Sequence, residues 1–136
     1  MSNLDFEQFF EQRSAAARAY VAGDPAPVDA LVPKEGAATF HSPPGDTVSG
    51  AAAVAARYRT DAASFKAGGA TRFEILQKES SGDLGFWTGF QVATVQFAGQ
   101  DKPIEMKIRV TEVFRRLDGE WKMVHRHADV PQKLRQ

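Results

Sequence analysis

The sequence predicts an α+β domain in which three N-terminal helices precede an antiparallel sheet. Apolar residues recur at three- and four-residue spacing in the first half of the chain, whereas from Thr71 onward they alternate with polar ones. Short segments typical of β-hairpins separate the alternating stretches. This order, helices first and a meander of strands second, is that of an α+β domain.

Composition limits the possible classes of protein. A chain of 136 residues, 43% apolar and 25% charged, is expected to form one domain over residues 1–136, with 131–136 a loose tail. The absence of cysteine excludes disulfides and thiolate sites. Seventeen basic and seventeen acidic residues cancel, which argues against nucleic-acid and membrane-surface partners. With no apolar run of membrane length and no signal-like start, we expect a cytoplasmic protein.

Three helices are predicted. The first begins near Ser2 and Asp5, ends near Gly23, and has a stripe made of Phe6, Phe9, Phe10, Arg13, Ala17, Tyr20 and Val21. The second begins at Asp24-Pro25 and stops at Pro33. The third covers Gly50 to Phe65, and Tyr58 lies on its apolar stripe.

The strands follow from alternation and turn residues. A short strand, Ala37 to His41, is closed by the proline-containing turn Ser42 to Asp46. Four longer strands are predicted at Thr71 to Glu79, Leu84 to Phe97, Ile104 to Leu117 and Glu120 to Ala128.

The last hairpin supplies the candidate catalytic residues. Asp118-Gly119 favours a two-residue type I′ turn, and a regular register from that turn sets Glu112 opposite His125 and Val110 opposite His127. Glu112, His125 and His127 then lie on the apolar face. There, desolvation raises the pKa of a carboxylate, a neighbouring imidazolium offsets that rise, and the carboxylate raises the pKa of the imidazole, so the pair is suited to proton transfer near neutral pH. The alternatives are a structural pair, or a bulged loop that shifts the register and removes the pairing.

Other polar residues are candidates for the wall of a ligand pocket. Tyr58 is either a core tyrosine or a catalytic one. Trp87 and Gln91 share one face of their strand and would face Glu112 if the loop that follows the strand turns tightly at Gly99-Gln100, although the opposite face is equally apolar. His41 ends the first strand, and Asp129 follows the two histidines.

Cofactor signatures are missing. His125, His127 and Glu112 could imitate a two-histidine, one-carboxylate metal site, but the helical H-E-x-x-H spacing is absent and we expect no metal. The sequence has no nucleophile elbow, phosphate-binding loop or dinucleotide fingerprint, so no cofactor is expected either.

Two stretches carry a resemblance to a known family: residues 38–43 before a helix that starts with glycine, and residues 109–127 around Asp118-Gly119. They resemble the nuclear transport factor 2-like superfamily, particularly its SnoaL-like and ketosteroid-isomerase-like members, and the last hairpin also resembles the association domain of calcium/calmodulin-dependent kinase II. The resemblance implies a cystatin-like α+β barrel: a cone-shaped curved sheet around the helices, open to a mostly apolar pocket, usually in a homodimer.

The residues of steroid isomerisation are not kept. In the family pattern the general-base aspartate falls on Ser42, the oxyanion tyrosine on Ala16, and the second oxyanion acid near Thr111 or Glu112. A serine hydroxyl is too weak a base to replace a carboxylate. We therefore expect a pocket protein that binds a small, largely apolar organic molecule. The alternative is an isomerase, cyclase, dehydratase or epoxide hydrolase that uses Glu112 and His125 for proton transfer.

Overall fold

The computed structural model describes residues 5–131, and its elements have the predicted order. The helices are α1 Phe6–Val21, α2 Ala26–Leu31 and α3 Ala51–Ala62. The strands are β1 Thr39–His41, β2 Thr47–Ser49, β3 Ala70–Ser81, β4 Leu84–Val95, β5 Ile104–Leu117 and β6 Glu120–Asp129. They form one curved, unclosed sheet in the order β2-β1-β6-β5-β4-β3, so the α+β class is confirmed. All neighbours are antiparallel except β1 and β6.

Helix α1 begins and ends where its sequence signals predict. Asp5 is the N-cap, and its side chain accepts from the backbone N–H of Gln8 while the Gln8 side chain accepts from the backbone N–H of Asp5. Ser2, the other predicted cap, lies outside the described residues. The helix buries the predicted stripe against the inner face of the sheet. No helix among residues 5–131 is both long and apolar enough to cross a membrane.

Two elements differ from prediction. Strand β2 was not expected; its three residues pair with β1 across the turn that Ser42 and Asp46 close by a backbone hydrogen bond. Helix α3 ends at Ala62 instead of Phe65. Phe65 instead forms a bridge with Phe97, which ties the end of the helix to the sheet.

Aromatic rings fill the space between the N-terminal part of α1 and the last hairpin. Phe6 and Phe9 of α1 pack on Phe114 and Trp121 of the last hairpin, with ring centroids 5.2 to 6.2 Å apart. Helix α1 approaches so closely here that a Cβ on Gly85 would lie 2.5 Å from the Phe6 ring. Because these rings fill the space beside the N-terminal end of α1, the cavity inside the sheet lies toward the C-terminal end of the helix.

The last hairpin contains a bulge that the sequence did not reveal. The turn is as predicted, with φ of 51° at Asp118 and 81° at Gly119, and Phe114 pairs with Met123. Beyond that pair the register shifts by one residue, which places Glu112 opposite Arg126 instead of His125. The predicted pairing of Glu112 with His125 is therefore wrong. Because a one-residue shift exchanges the two faces of a strand, Arg126 points inward and the histidines outward.

Candidate functional site

Glu112 is the centre of a buried polar network on the inner face. Its side chain is 0% exposed. Oε1 accepts from Arg13 Nε at 2.9 Å and from Trp87 Nε1 at 2.8 Å, and Oε2 accepts from Arg13 Nη2 at 2.8 Å and from Arg126 Nη1. Arg126 Nη2 also donates to Gln91 Oε1 at 2.6 Å. Both carboxylate oxygens are thus occupied by donors of the protein itself.

Electrostatics keep this carboxylate ionised. Burial alone would raise the pKa of Glu112, but the charges of Arg13 and Arg126, with hydrogen bonds from Arg13 and Trp87, bring it to about 2. A carboxylate with this pKa holds no proton to donate near neutral pH and is a weak base. The geometry therefore gives Glu112 the role of a counter-ion for two guanidinium groups.

The two arginines reach Glu112 from different elements. Arg13 occupies a core position of α1 and is 4% exposed. A cation on an apolar stripe is itself a signal of a buried partner, but the sequence does not name that partner. In the regular register of the last hairpin Arg126 would face away from Glu112, and the bulge turns it inward.

An inner cavity of about 370 Å³ adjoins this network. Its wall is mostly apolar and includes Ala17, Val21, Val28, Phe40, Phe65, Ala93, Val95, Phe97, Met106, Ile108 and Met123. Tyr58 and Gln91 also line it, together with Arg13 and Arg126. Trp87 lies on the same inner face but is completely buried beneath Glu112 and does not line the cavity.

Two tyrosines supply further polar atoms to the cavity. Tyr20 on α1 and Tyr58 on α3 both line it, with ring centroids 6.4 Å apart. Burial raises the pKa of both phenols well above the usual value of 10, so both stay protonated near neutral pH. Each hydroxyl is therefore a neutral hydrogen-bond donor at the cavity.

The predicted histidines lie on the outer face of the sheet. His41 stands between His125 and His127, with ring centroids at 5.2 and 5.1 Å. Thr39 Oγ1 and His125 Nδ1 are 2.6 Å apart. Asp129 also faces outward; its Oδ1 accepts from Arg109 Nε at 2.7 Å. The expectation that these histidines and Asp129 share a wall with Tyr58 is wrong, because the bulge turns this part of β6 over.

The environment of His125 differs from that predicted for a catalytic pair. Its pKa is lowered from 6.5, first by partial burial and then by the charges of His41 and His127, while Glu112 contributes less and in the opposite direction. Within residues 5–131 no group of three or more histidine, aspartate or glutamate side chains is arranged to hold a metal ion. Catalytic roles for Glu112, His125 and His127 remain a prediction. The pairing of Glu112 with His125, on which that prediction rested, does not form.

Solved structures of similar fold support the assignment of the architecture. A candidate dehydratase of the NTF2-like family from Streptomyces avermitilis is 20% identical with a TM-score of 0.75, covering 93% of this chain and 96% of its own. An NTF2-like superfamily protein from Salmonella enterica is 16% identical with a TM-score of 0.77, covering 93% and 91%. The CaMKII hub of S. rosetta is 18% identical with a TM-score of 0.67, covering 96% and 100%.

Sequence comparison identifies the family. No curated protein matches the chain. Residues 11–133, which contain Arg13, the cavity and the last hairpin, match the SnoaL-like domain. This match takes in nearly the whole chain and agrees with the resemblance of its last hairpin. The fold is shared with the NTF2-like proteins above, and the family match shows that the chain belongs to the SnoaL-like domain family.

Proposed function

We propose that this protein binds a small, largely apolar organic molecule in the inner cavity. The observation that carries the proposal is the cavity itself: about 370 Å³, walled by aliphatic and aromatic side chains, with its polar atoms gathered at a few positions. Binding sites for small molecules typically have roughly 300 to 1,000 Å³ of space and this kind of lining. A preformed apolar cavity also lowers the cost of binding, because little of the wall has to be ordered.

The same geometry favours binding over the proton-transfer alternative. An isomerase or dehydratase acting through Glu112 needs its carboxylate beside the substrate. Here Arg13 and Arg126 line the cavity, whereas Glu112 does not. His125 lies on the other face of the sheet and cannot complete the pair.

The proposal is tested by blocking the cavity. Ala17 is buried in α1 and lines the cavity, so Ala17→Leu places three extra carbons in it. Ala15 is exposed on the same helix, and Ala15→Leu is the matched control. The probes are 2-naphthoate and its uncharged isostere 2-naphthamide, titrated by calorimetry. We expect binding to the unchanged protein and to Ala15→Leu, and at least a tenfold loss in Ala17→Leu. Unaltered binding in Ala17→Leu, or no binding at all, would overturn the proposal.

We also propose that the outer face of the sheet pairs with a second copy of the chain. Leu76, the extra residue of a bulge in β3, is 70% exposed. It borders a depression of about 360 Å³ that Phe90, Thr111 and His127 help to line. In a twofold-symmetric dimer, Leu76 of each copy can fill the depression of the other, which removes both apolar surfaces from water.

A further inference from the structure

Arg13 and Arg126 form the most buried charged part of the cavity wall, which we call the deep end. Positive charge exceeds negative charge there. Arg13 and Arg126 both reach Glu112, so two guanidinium groups share one carboxylate. The side chain of Arg13 is 5% exposed and that of Arg126 is 12% exposed, so water screens neither charge well. Burial of an uncompensated charge is costly, and a second anion at this position would remove the imbalance.

The same end also holds donors that the protein does not use. Arg13 contacts Glu112 through Nε and Nη2, and its Nη1 is buried without a hydrogen-bond partner among the described residues. Arg126 spends Nη1 on Glu112 and Nη2 on Gln91, which leaves three of its five N–H groups free of these contacts. The buried Nη1 of Arg13 is a donor of the kind that normally has an acceptor.

The more exposed part of the cavity wall, around Arg57, is called here the outer end, and its charges are balanced differently. Arg57 lines the wall there, but its Nε donates to both oxygens of Asp61 at 3.0 Å and its Nη1 to Asp46 Oδ2 at 2.6 Å. Two carboxylates therefore surround Arg57, whereas two guanidiniums surround Glu112. An anion entering the cavity is favoured at the deep end and disfavoured at the outer end.

From this asymmetry we propose that the ligand is a carboxylic acid bound as its anion, with the carboxylate at Arg13 and Arg126 and the apolar body along the wall. The inference rests on the proposed function and names its ligand class. Guanidinium groups bind carboxylates through parallel N–H donors with a strength that neutral pairs do not reach. Tyr58, protonated and at the same cavity, is a further donor for the second carboxylate oxygen.

Comparison of the two probes tests the carboxylate separately from the cavity. The probes 2-naphthoate and 2-naphthamide have the same size and shape, and only the first is charged at pH 7. We expect 2-naphthoate to bind at least about tenfold more tightly. Equal binding would overturn the carboxylate inference and leave the proposed function standing, whereas absence of binding by both would overturn both proposals.

Charge variants give the inference a second test. Arg126→Gln removes one cation and should abolish the preference for 2-naphthoate, while Arg109→Gln, on the outer face, should keep it. Glu112→Gln removes the competing anion. It should increase the affinity for 2-naphthoate at least about threefold and leave the affinity for 2-naphthamide unchanged. A preference that survives in Arg126→Gln, or a weaker 2-naphthoate affinity in folded Glu112→Gln, contradicts the inference. If a variant does not fold, the comparison of probes on the unchanged protein still decides.

Discussion

Arg126 stands directly opposite Glu112 on the neighbouring strand, and its Nη1 donates to Glu112 Oε2. A single extra residue near Val124 creates this relationship, since without the bulge His125 would occupy the opposing position. The bulge thus brings a second guanidinium to a carboxylate that already holds Arg13. It also fixes which face of β6 meets the cavity.

Glu112→Gln should destabilise the fold by about 3 to 5 kcal/mol at pH 7, because it leaves two buried cations without their anion. The cost should depend on pH with a definite sign. The folded state lowers the pKa of Glu112 from 4.5 to about 2, so the stabilisation is complete above pH 4.5 and is lost as the pH falls toward 2. Urea unfolding at pH 7, 4.5 and 3 measures the difference between the two proteins.

Glu105→Gln is the control for that series, since Glu105 is exposed on the same strand. It should change the free energy of unfolding by less than about 0.5 kcal/mol. A difference between Glu112→Gln and the unchanged protein that stays constant from pH 7 to 3 would show that the carboxylate charge is not what the fold uses.

His127→Gln should raise the pKa of His125. Partial burial and the charges of His41 and His127 lower this pKa, and the substitution removes one of those charges. The lowered pKa also means that protonation of His125 destabilises the folded state as the pH falls below 6.5. Titration of the His125 ring protons by NMR measures the shift.

Glu112→Gln provides the comparison for His125, because Glu112 lies on the opposite face of the sheet. Glu112→Gln should lower the pKa of His125, and this decrease should be smaller than the increase caused by His127→Gln. A larger effect from Glu112→Gln would indicate that the acid and the imidazole interact directly, as the regular register predicted.

Leu76→Lys should convert the proposed dimer into a monomer. The substitution replaces the most exposed large apolar side chain of the outer face with a charge that a second copy would have to bury. Sedimentation equilibrium measures the mass, with Ala15→Lys on the exposed side of α1 as the control. A monomer for the unchanged protein, or a dimer that survives Leu76→Lys, would rule out this interface.

The fold followed from the sequence because its signals are local. The capping box at Asp5 and Gln8 and the Asp118-Gly119 turn each specify their own geometry, and the alternation of the long strands specifies the sheet. The candidate site depended on register far from the turn, which one unpredicted bulge changes. No residue type marks the bulge near Val124. The sequence therefore could not show that Arg126, and not His125, lies opposite Glu112.

Gly89→Ala should destabilise the protein by about 1 to 3 kcal/mol, because the backbone of β3 occupies the space that a Cβ on this glycine of β4 would need. A Cβ on Gly89 would lie 2.0 Å from the carbonyl oxygen of Glu74, and the backbone of β3 would have to move. Gly85→Ala is the comparison, because its Cβ would meet only ring atoms of Phe6, and a side chain can shift at lower cost than the backbone of a strand. Chemical unfolding should rank Gly89→Ala as the more damaging change. The reverse order would mean that the bulge in β3 yields more readily than the aromatic packing around Phe6.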